Sequence, residues 1–170
     1  MSVDRKRQIG GAKAHKAGTA FEERVALINA AYERQGVATI EKVDPPTKML
    51  ATKRIIYLEN PFLDYVGTWT ARGGKMIVME AKSTSGHRLQ IDQKSGGLST
   101  KQMIMLDRWH KAGACTGLLW WHEDELKVIT WETIRHACMA GARSLRWADH
   151  QSCRRGNVAA IQWDWLAELK

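Results

Sequence analysis

Asp64 and the triplet Glu80-Ala81-Lys82 carry the residue types needed for metal-assisted hydrolysis of a phosphodiester. Two carboxylates held a few ångströms apart repel, and a divalent cation with oxygen ligands relieves that repulsion. A lysine beside them can orient an attacking water and offset charge on a phosphate in the transition state. As a bare pattern, Asp followed fifteen residues later by Glu-x-Lys is common, and a surface ion pair at a strand end is the plainer reading. The neighbours of Glu80 argue against that reading. Side chains at i and i+2 of a strand share a face, so Glu80 and Lys82 project together with Met76 and Val78, while Ala81 turns to the packed side. Two charges at the end of an otherwise apolar face are costly unless they are paired or bound to a cation.

These residues meet only if a hairpin brings them together. Residues 63–70 read as a strand, Ala71-Arg72-Gly73-Gly74 as a turn, and 75–83 as the returning strand, which carries Asp64 towards the end of the sheet that holds Glu80. Upstream, Phe21, Val25, Ile28 and Tyr32 recur at helical spacing from Gly18, with Thr19 as N-cap, Glu22 three residues on, and Gly36 as the stop. Residues 37–43 follow as a strand, ended by Asp44-Pro45-Pro46-Thr47 because proline cannot donate to a ladder. Lys48, Lys53 and Arg54 lie between apolar positions and mark a basic insertion or irregular hairpin at 44–57. After a polar loop at 84–98, Ser99 caps a helix to about Lys111 with Met103, Leu106 and His110 on its inward face. The continuous apolar run 115–121 has the length of a central strand, and 126–130 returns beside it. A short helix at 131–140 and a helical turn or two at 163–169 complete the chain, while 141–158 carries no clear signal. The order predicts an α/β domain with a central mixed β-sheet flanked by helices, and it contains no GxGxxG or P-loop.

At 170 residues there is room for one domain, 18–170, preceded by a flexible basic arm at 1–17 that holds Arg5, Lys6, Arg7, Lys13 and Lys16 against Asp4. A formal charge of +8 and a pI near 9.6 point to a polyanionic partner, most simply nucleic acid. A basic solubilising surface is the plainer alternative. No apolar run reaches the roughly 20 residues of a membrane span, and none follows the basic N-terminus, so neither a membrane partner nor a secretory signal is expected. Three cysteines without CxxC spacing fit free thiols in a reducing cytoplasm. His136-Ala-Cys138 and His150-Gln-Ser-Cys153 lack the tighter cysteine pairs of zinc sites, and they predict a helix with a buried cysteine followed by a loop. Trp109, Trp120 and Trp121 are expected in the core rather than on a binding surface.

Taken together, the chain resembles the RecU-type Holliday junction resolvases of the PD-(D/E)XK nuclease superfamily, over about residues 18–119. The resemblance lies in Gly18-Thr-Ala-Phe21-Glu22 opening a helix with Asn29 and Tyr32, in Pro45-Pro46-Thr47, and in Asp64-Tyr65-Val-Gly67. It continues through Glu80-Ala81-Lys82-Ser-Thr84 and the later Gln102 and Leu106. It implies a restriction-endonuclease-like fold with a protruding basic stalk at 44–57, and an enzyme that cuts four-way DNA junctions symmetrically. Asp64, Glu80 and the Ala81 carbonyl would hold Mg2+, for which Mn2+ could substitute. Lys82 would position and activate the water. Glu22 would extend the acidic cluster towards a second metal, unless it is a plain capping-box carboxylate. Gln102 would orient Lys82 or the water, unless it is an ordinary capping partner of Ser99.

Lys48, Lys53 and Arg54 on the stalk, with the basic residues of the arm, would contact DNA phosphates. The partners implied are branched DNA and a second copy of the chain, with a recombinase as a further candidate, in the cytoplasm of a bacterium or of a virus-infected host. Two departures stand out: the insertion is compact, and Leu63 occupies the position before Asp64 where the family has serine or threonine. A nuclease for flaps or ordinary duplex shares the same core and is the nearest rival. A DNA-binding module without turnover is the reading from another class, and it would gain nothing from carboxylates facing a phosphate.

Overall fold

The computed structural model describes residues 3–49, 55–57, 63–91, 97–155 and 163–169, with the side chains of 3–17, Lys48 and 55–57 lying outside that description. Helix α1 runs Val3–Arg34, well ahead of the expected start at Gly18. The residues read as a flexible arm therefore have helical backbone from Val3 onward, and Thr19 sits inside the helix instead of capping it. Alanine, lysine, arginine and glutamine dominate 5–17, and their propensity outweighs the cost of Gly10 and Gly11. The stop is as read. Gly36 takes the left-handed conformation (φ 65°), Gly36 N–H donates to Glu33 O and Val37 N–H to Tyr32 O, both at 2.9 Å. This pair of bonds satisfies carbonyls that the helix end would otherwise orphan.

Strand β1 (Thr39–Lys42) leads into a separate antiparallel pair, β2 (Thr47–Met49) and β3 (Ile55–Tyr57), which occupies the insertion expected at 44–57. Strands β4 (Tyr65–Trp69) and β5 (Lys75–Ser83) then form the expected hairpin, with Tyr65 opposite Met79 and Trp69 opposite Lys75. Within the loop expected at 84–98, β6 (Arg88–Gln90) pairs antiparallel with β9 (Ser144–Arg146). Helix α2 (Thr100–Lys111) carries the chain over to β7 (Cys115–His122), which lies parallel to β5 and antiparallel to β8 (Glu125–Thr130). Helix α3 (Trp131–Met139) follows. The main sheet is thus mixed and five-stranded, in the order β1-β4-β5-β7-β8.

Strand parity divides the core in two. Ile77 and Met79 of β5, with Leu119 and Trp121 of β7, pack under Phe21, Val25, Ile28 and Tyr32 of α1. The C-terminal Trp163, Trp165, Leu166 and Leu169 close the same face. Trp165 Nε1–H donates to Asn29 Oδ1 (3.3 Å) and Tyr32 O–H to Asp164 Oδ1 (2.8 Å), so the segment past 160 is tied directly to α1. On the opposite face, Val78, Leu118, Trp120 and Ile129 pack against Leu106 of α2 and Ile134 of α3. Trp120 and Trp121 are core residues, and Trp109 packs against the α2-side cluster, as expected. Glu80 and Lys82 share parity with Val78, so both face α2.

Gly67 is where two backbones approach most closely. A Cβ there would lie 2.2 Å from Thr39 O and 2.7 Å from Ile40 Cα, both on β1. Neither is a flexible side-chain end that could move aside. Gly67→Ala is expected to push β1 off the hairpin and lower stability by about 1–3 kcal/mol, read from the urea midpoint at constant m-value.

Candidate active site

Glu80 is a carboxyl group only 2% exposed, near the end of the central strand. Its Oε1 accepts from Lys82 Nζ at 2.8 Å and from the side-chain amide of Gln102. Asp64 immediately precedes β4, beyond the last rung of its ladder with β5, and its Oδ2 accepts from Ala81 N–H at 2.8 Å. In an extended strand the N–H and C=O of one residue point to the same side, so the Ala81 carbonyl also faces Asp64. The hairpin thereby assembles Asp64, Glu80, Ala81 and Lys82 into one cluster, as the spacing required.

The electrostatics of this cluster are unfavourable for two bare anions. Burial, and then the Asp64 carboxylate beside it, push the Glu80 carboxyl up to about 8, against the opposing pull of Lys82. A buried carboxyl facing a second carboxyl, with one lysine to share, is short of positive charge. The donors available are two carboxylates and a backbone carbonyl, an all-oxygen set that suits a hard divalent cation. The residues present fit a divalent cation with oxygen ligands.

Gln102 is the capping partner of Ser99, and the same side chain also reaches Glu80. Its Oε1 accepts from Ser99 N–H (2.9 Å) while Gln102 N–H donates to Ser99 Oγ (3.2 Å), closing a capping box at the start of α2. The amide nitrogen of the same side chain donates to Glu80. It therefore orients the carboxylate, where Lys82 or the water was the expected target. Helix capping locks the side chain that locks Glu80.

Glu22 does not join Glu80. It projects from α1, on the other face of the sheet, and its Oε2 accepts from Lys42 Nζ at 2.8 Å. Lys42 also lies 3.5 Å from Asp44. On the same α1 face stands Tyr65, a residue the sequence reading passed over except as part of a motif. Its hydroxyl is buried and without a hydrogen-bond partner among the described residues. Burial raises its pKa, and the nearby Glu22 and Asp64 carboxylates raise it further. Strand parity was the available signal, since Tyr65 must face α1 if Ile77 and Met79 do.

A cleft of about 230 Å3 opens over the cluster, lined by Pro45, Leu63, Asp64, Glu80, Ser99, Lys101, Gln102 and Met105. Pro45 belongs to the start of the insertion, so the insertion and the Asp64–Glu80 hairpin border the same opening. Lys53 and Arg54 lie outside the described residues, as do the side chains of Lys48, Arg5, Lys6, Arg7, Lys13 and Lys16. The cysteines and histidines weighed for zinc are dispersed: Cys153 is in the α1-side core and Cys138 packs on the α2 side. No described helix is long and apolar enough to cross a membrane.

Comparison with known proteins adds three findings. Among curated proteins nothing matches the chain. Among solved structures, the chain is similar to Hjc, a Holliday junction resolvase from the archaeal hyperthermophile Archaeoglobus fulgidus. That similarity has 15% identity and a TM-score of 0.44, over 67% of this chain and 77% of that one. Residues 16–149 match the family model RecU, recombination protein U. The match takes in the insertion, the Asp64 hairpin, Glu80-Ala81-Lys82 and Gln102, and it extends thirty residues beyond the stretch that sequence reading placed at 18–119. The mixed five-stranded sheet flanked by helices is the α/β architecture expected from the order of elements. The chain belongs to the RecU family of Holliday junction resolvases, metal-dependent endonucleases that act on branched DNA.

Proposed function

We propose that Asp64, Glu80 and the Ala81 carbonyl hold a Mg2+ ion, replaceable by Mn2+, and that Lys82 positions the attacking water in the resolution of four-way junctions by paired symmetric cuts. The observation that supports this most is the buried Glu80 carboxyl, raised to about 8 beside Asp64. A divalent ion held there supplies Lewis-acid charge at the scissile phosphate and makes a water more acidic. The chain's own residues do the positioning. Lys82 Nζ, 2.8 Å from Glu80 Oε1, is placed to hydrogen-bond a water at the carboxylate pair and to offset charge on the phosphate. Gln102 keeps Glu80 from turning away, and Ala81 N–H does the same for Asp64. Glu22 and Tyr65 lie on the α1 side of this centre, where Glu22 is a candidate for a second cation site only if Lys42 releases it.

Junction selectivity belongs to the insertion and the basic N-terminal helix. Lys48, Lys53 and Arg54 contact phosphates near the junction centre, and Arg5, Lys6, Arg7, Lys13 and Lys16 contact the arms. A homodimer matches the two-fold requirement of paired cuts, because two equivalent sites related by symmetry make two equivalent incisions. The enzyme works in the cytoplasm where the DNA is, with a recombinase as a further partner.

Labelled four-way junction and matched linear duplex, each with Mg2+ and then EDTA, test this reading. Symmetric nicks on the junction alone are expected, and they are lost in EDTA. Equal cutting of both substrates would keep the catalytic assignment and remove the junction claim. Tight binding without cutting in Mg2+ or Mn2+ would leave a binding module. Neutralising Lys48, Lys53 and Arg54 together is expected to weaken junction binding about tenfold and duplex binding far less, since each lost phosphate contact forgoes counterion release. An equal loss on both would reduce the insertion to a general phosphate contact.

A further inference from the structure

Beyond the nuclease centre, at the C-terminal end of β7, three potential ligand atoms converge. His87, His122 and Glu123 present atoms that all lie within 4.8 Å of one another. His122 is only 1% exposed, whereas His87 and Glu123 are on the surface. His122 Nδ1 lies 2.9 Å from Thr84 O. A carbonyl can only accept, so Nδ1 carries the proton and Nε2 of the neutral ring has its lone pair free. That lone pair points at His87 Nδ1, 3.1 Å away. Glu123 Oε2 lies 3.8 Å from His122 Nε2.

We propose that His87 Nδ1, His122 Nε2 and Glu123 Oε2 form a binding site for a Zn2+-class transition-metal ion, separate from the carboxylate centre. A histidine that donates one ring N–H to a backbone carbonyl and offers the other nitrogen has the arrangement of an oriented metal ligand. The spacing agrees with tetrahedral coordination: Zn–N bonds of about 2.0–2.1 Å put two ligand nitrogens about 3.3 Å apart. The simple alternative is a histidine–histidine hydrogen bond beside an exposed carboxylate, and measured metal binding separates the two. Glu123 and Asp124 form the turn between β7 and β8 with φ of 47° and 62°, a conformation that non-glycine residues seldom adopt. Asp124 is taken up by Arg24 at 2.9 Å, while Glu123 turns towards His122.

Two nitrogens and one carboxylate favour Zn2+, Co2+ or Ni2+ over Mg2+, which prefers oxygen. Three protein ligands leave a fourth position for water or an exogenous anion. Thr84, whose carbonyl fixes His122, comes two residues after Lys82, so a bound ion would tie the chain leaving the catalytic strand to the β7–β8 turn. The site does not rest on the catalytic reading and stands or falls separately.

The test is equilibrium dialysis of the full chain against Zn2+ with excess Mg2+, followed by metal analysis. The same measurement on Glu80→Gln removes the contribution of the carboxylate centre. One Zn2+ per chain is expected in both, weakened at least about tenfold by His87→Ala and by Glu123→Ala, as loss of a ligand or its orienting partner does elsewhere. Co2+ in place of Zn2+ should give the visible absorption of a tetrahedral site, lost in His87→Ala. His87 and Glu123 are exposed, so these variants should fold, and Zn2+ should raise the melting temperature of the parent chain but not of His87→Ala. Failure to retain Zn2+ at micromolar free metal, or retention unchanged by both substitutions, would overturn the site.

Discussion

Asp64→Asn and Glu80→Gln should each cut a four-way junction about a thousandfold more slowly than the parent chain while binding it at least as tightly. Each removes one anionic oxygen ligand and keeps the side chain's shape. The amide of Glu80→Gln can still accept from Lys82, and that of Asp64→Asn can still accept from Ala81 N–H, so the hairpin keeps its hydrogen bonds. Binding should hold or improve, because a carboxylate facing a phosphate repels it when no cation lies between them. Single-turnover cutting in Mg2+, paired with gel-shift binding in EDTA, separates the two effects. Cutting at the parental rate by either variant would remove that residue from the metal site.

The raised Glu80 carboxyl leads to an effect nearly as large. A group at about 8 must lose its proton before it can serve as an anionic ligand, so metal occupancy competes with protonation. Apparent affinity for Mg2+ should fall towards a slope of about tenfold per pH unit well below that value, or about fiftyfold between pH 8 and pH 6. Glu80→Gln should flatten this dependence along with lowering the affinity. For the metal-free fold the sign is opposite to that of an ion-paired carboxylate. The folded chain binds the Glu80 proton more tightly than the unfolded chain does. That stabilisation is complete below the unfolded value near 4.5 and is lost as pH rises towards 8. Calorimetry of Mg2+ binding in buffers of different ionisation enthalpy reads the released proton directly. Binding without proton release at pH 7 would mean that Glu80 is already ionised.

The Asp64–Glu80 hairpin and the helix that follows it were legible because the interactions that specify them are local. A period of two, a Gly-Gly turn and a serine cap with glutamine three residues on place Asp64, Glu80, Lys82 and Gln102 on their elements without reference to the rest of the fold. The helix stop at Gly36 was legible for the same reason. The helix start was not, since it depends on whether many small propensities at 3–17 outweigh two glycines. The ladder between β6 and β9 was hidden because each strand is three residues long and its partner lies more than fifty residues away.

By itself the sequence determined the family and the placing of its acidic and basic residues: an Asp/Glu-x-Lys hairpin in a basic chain, on an α/β scaffold of the RecU family. Tertiary structure alone decided which side chains share a face. The crossover through α2 sets β7 parallel to β5 and brings Gln102 onto Glu80. The packing of α1 on the opposite face gives Glu22 to Lys42. His87 reaches His122 only because the ends of β5 and β7 finish side by side. Contacts of that kind depend on how whole elements pack, and no local spacing in the chain encodes them.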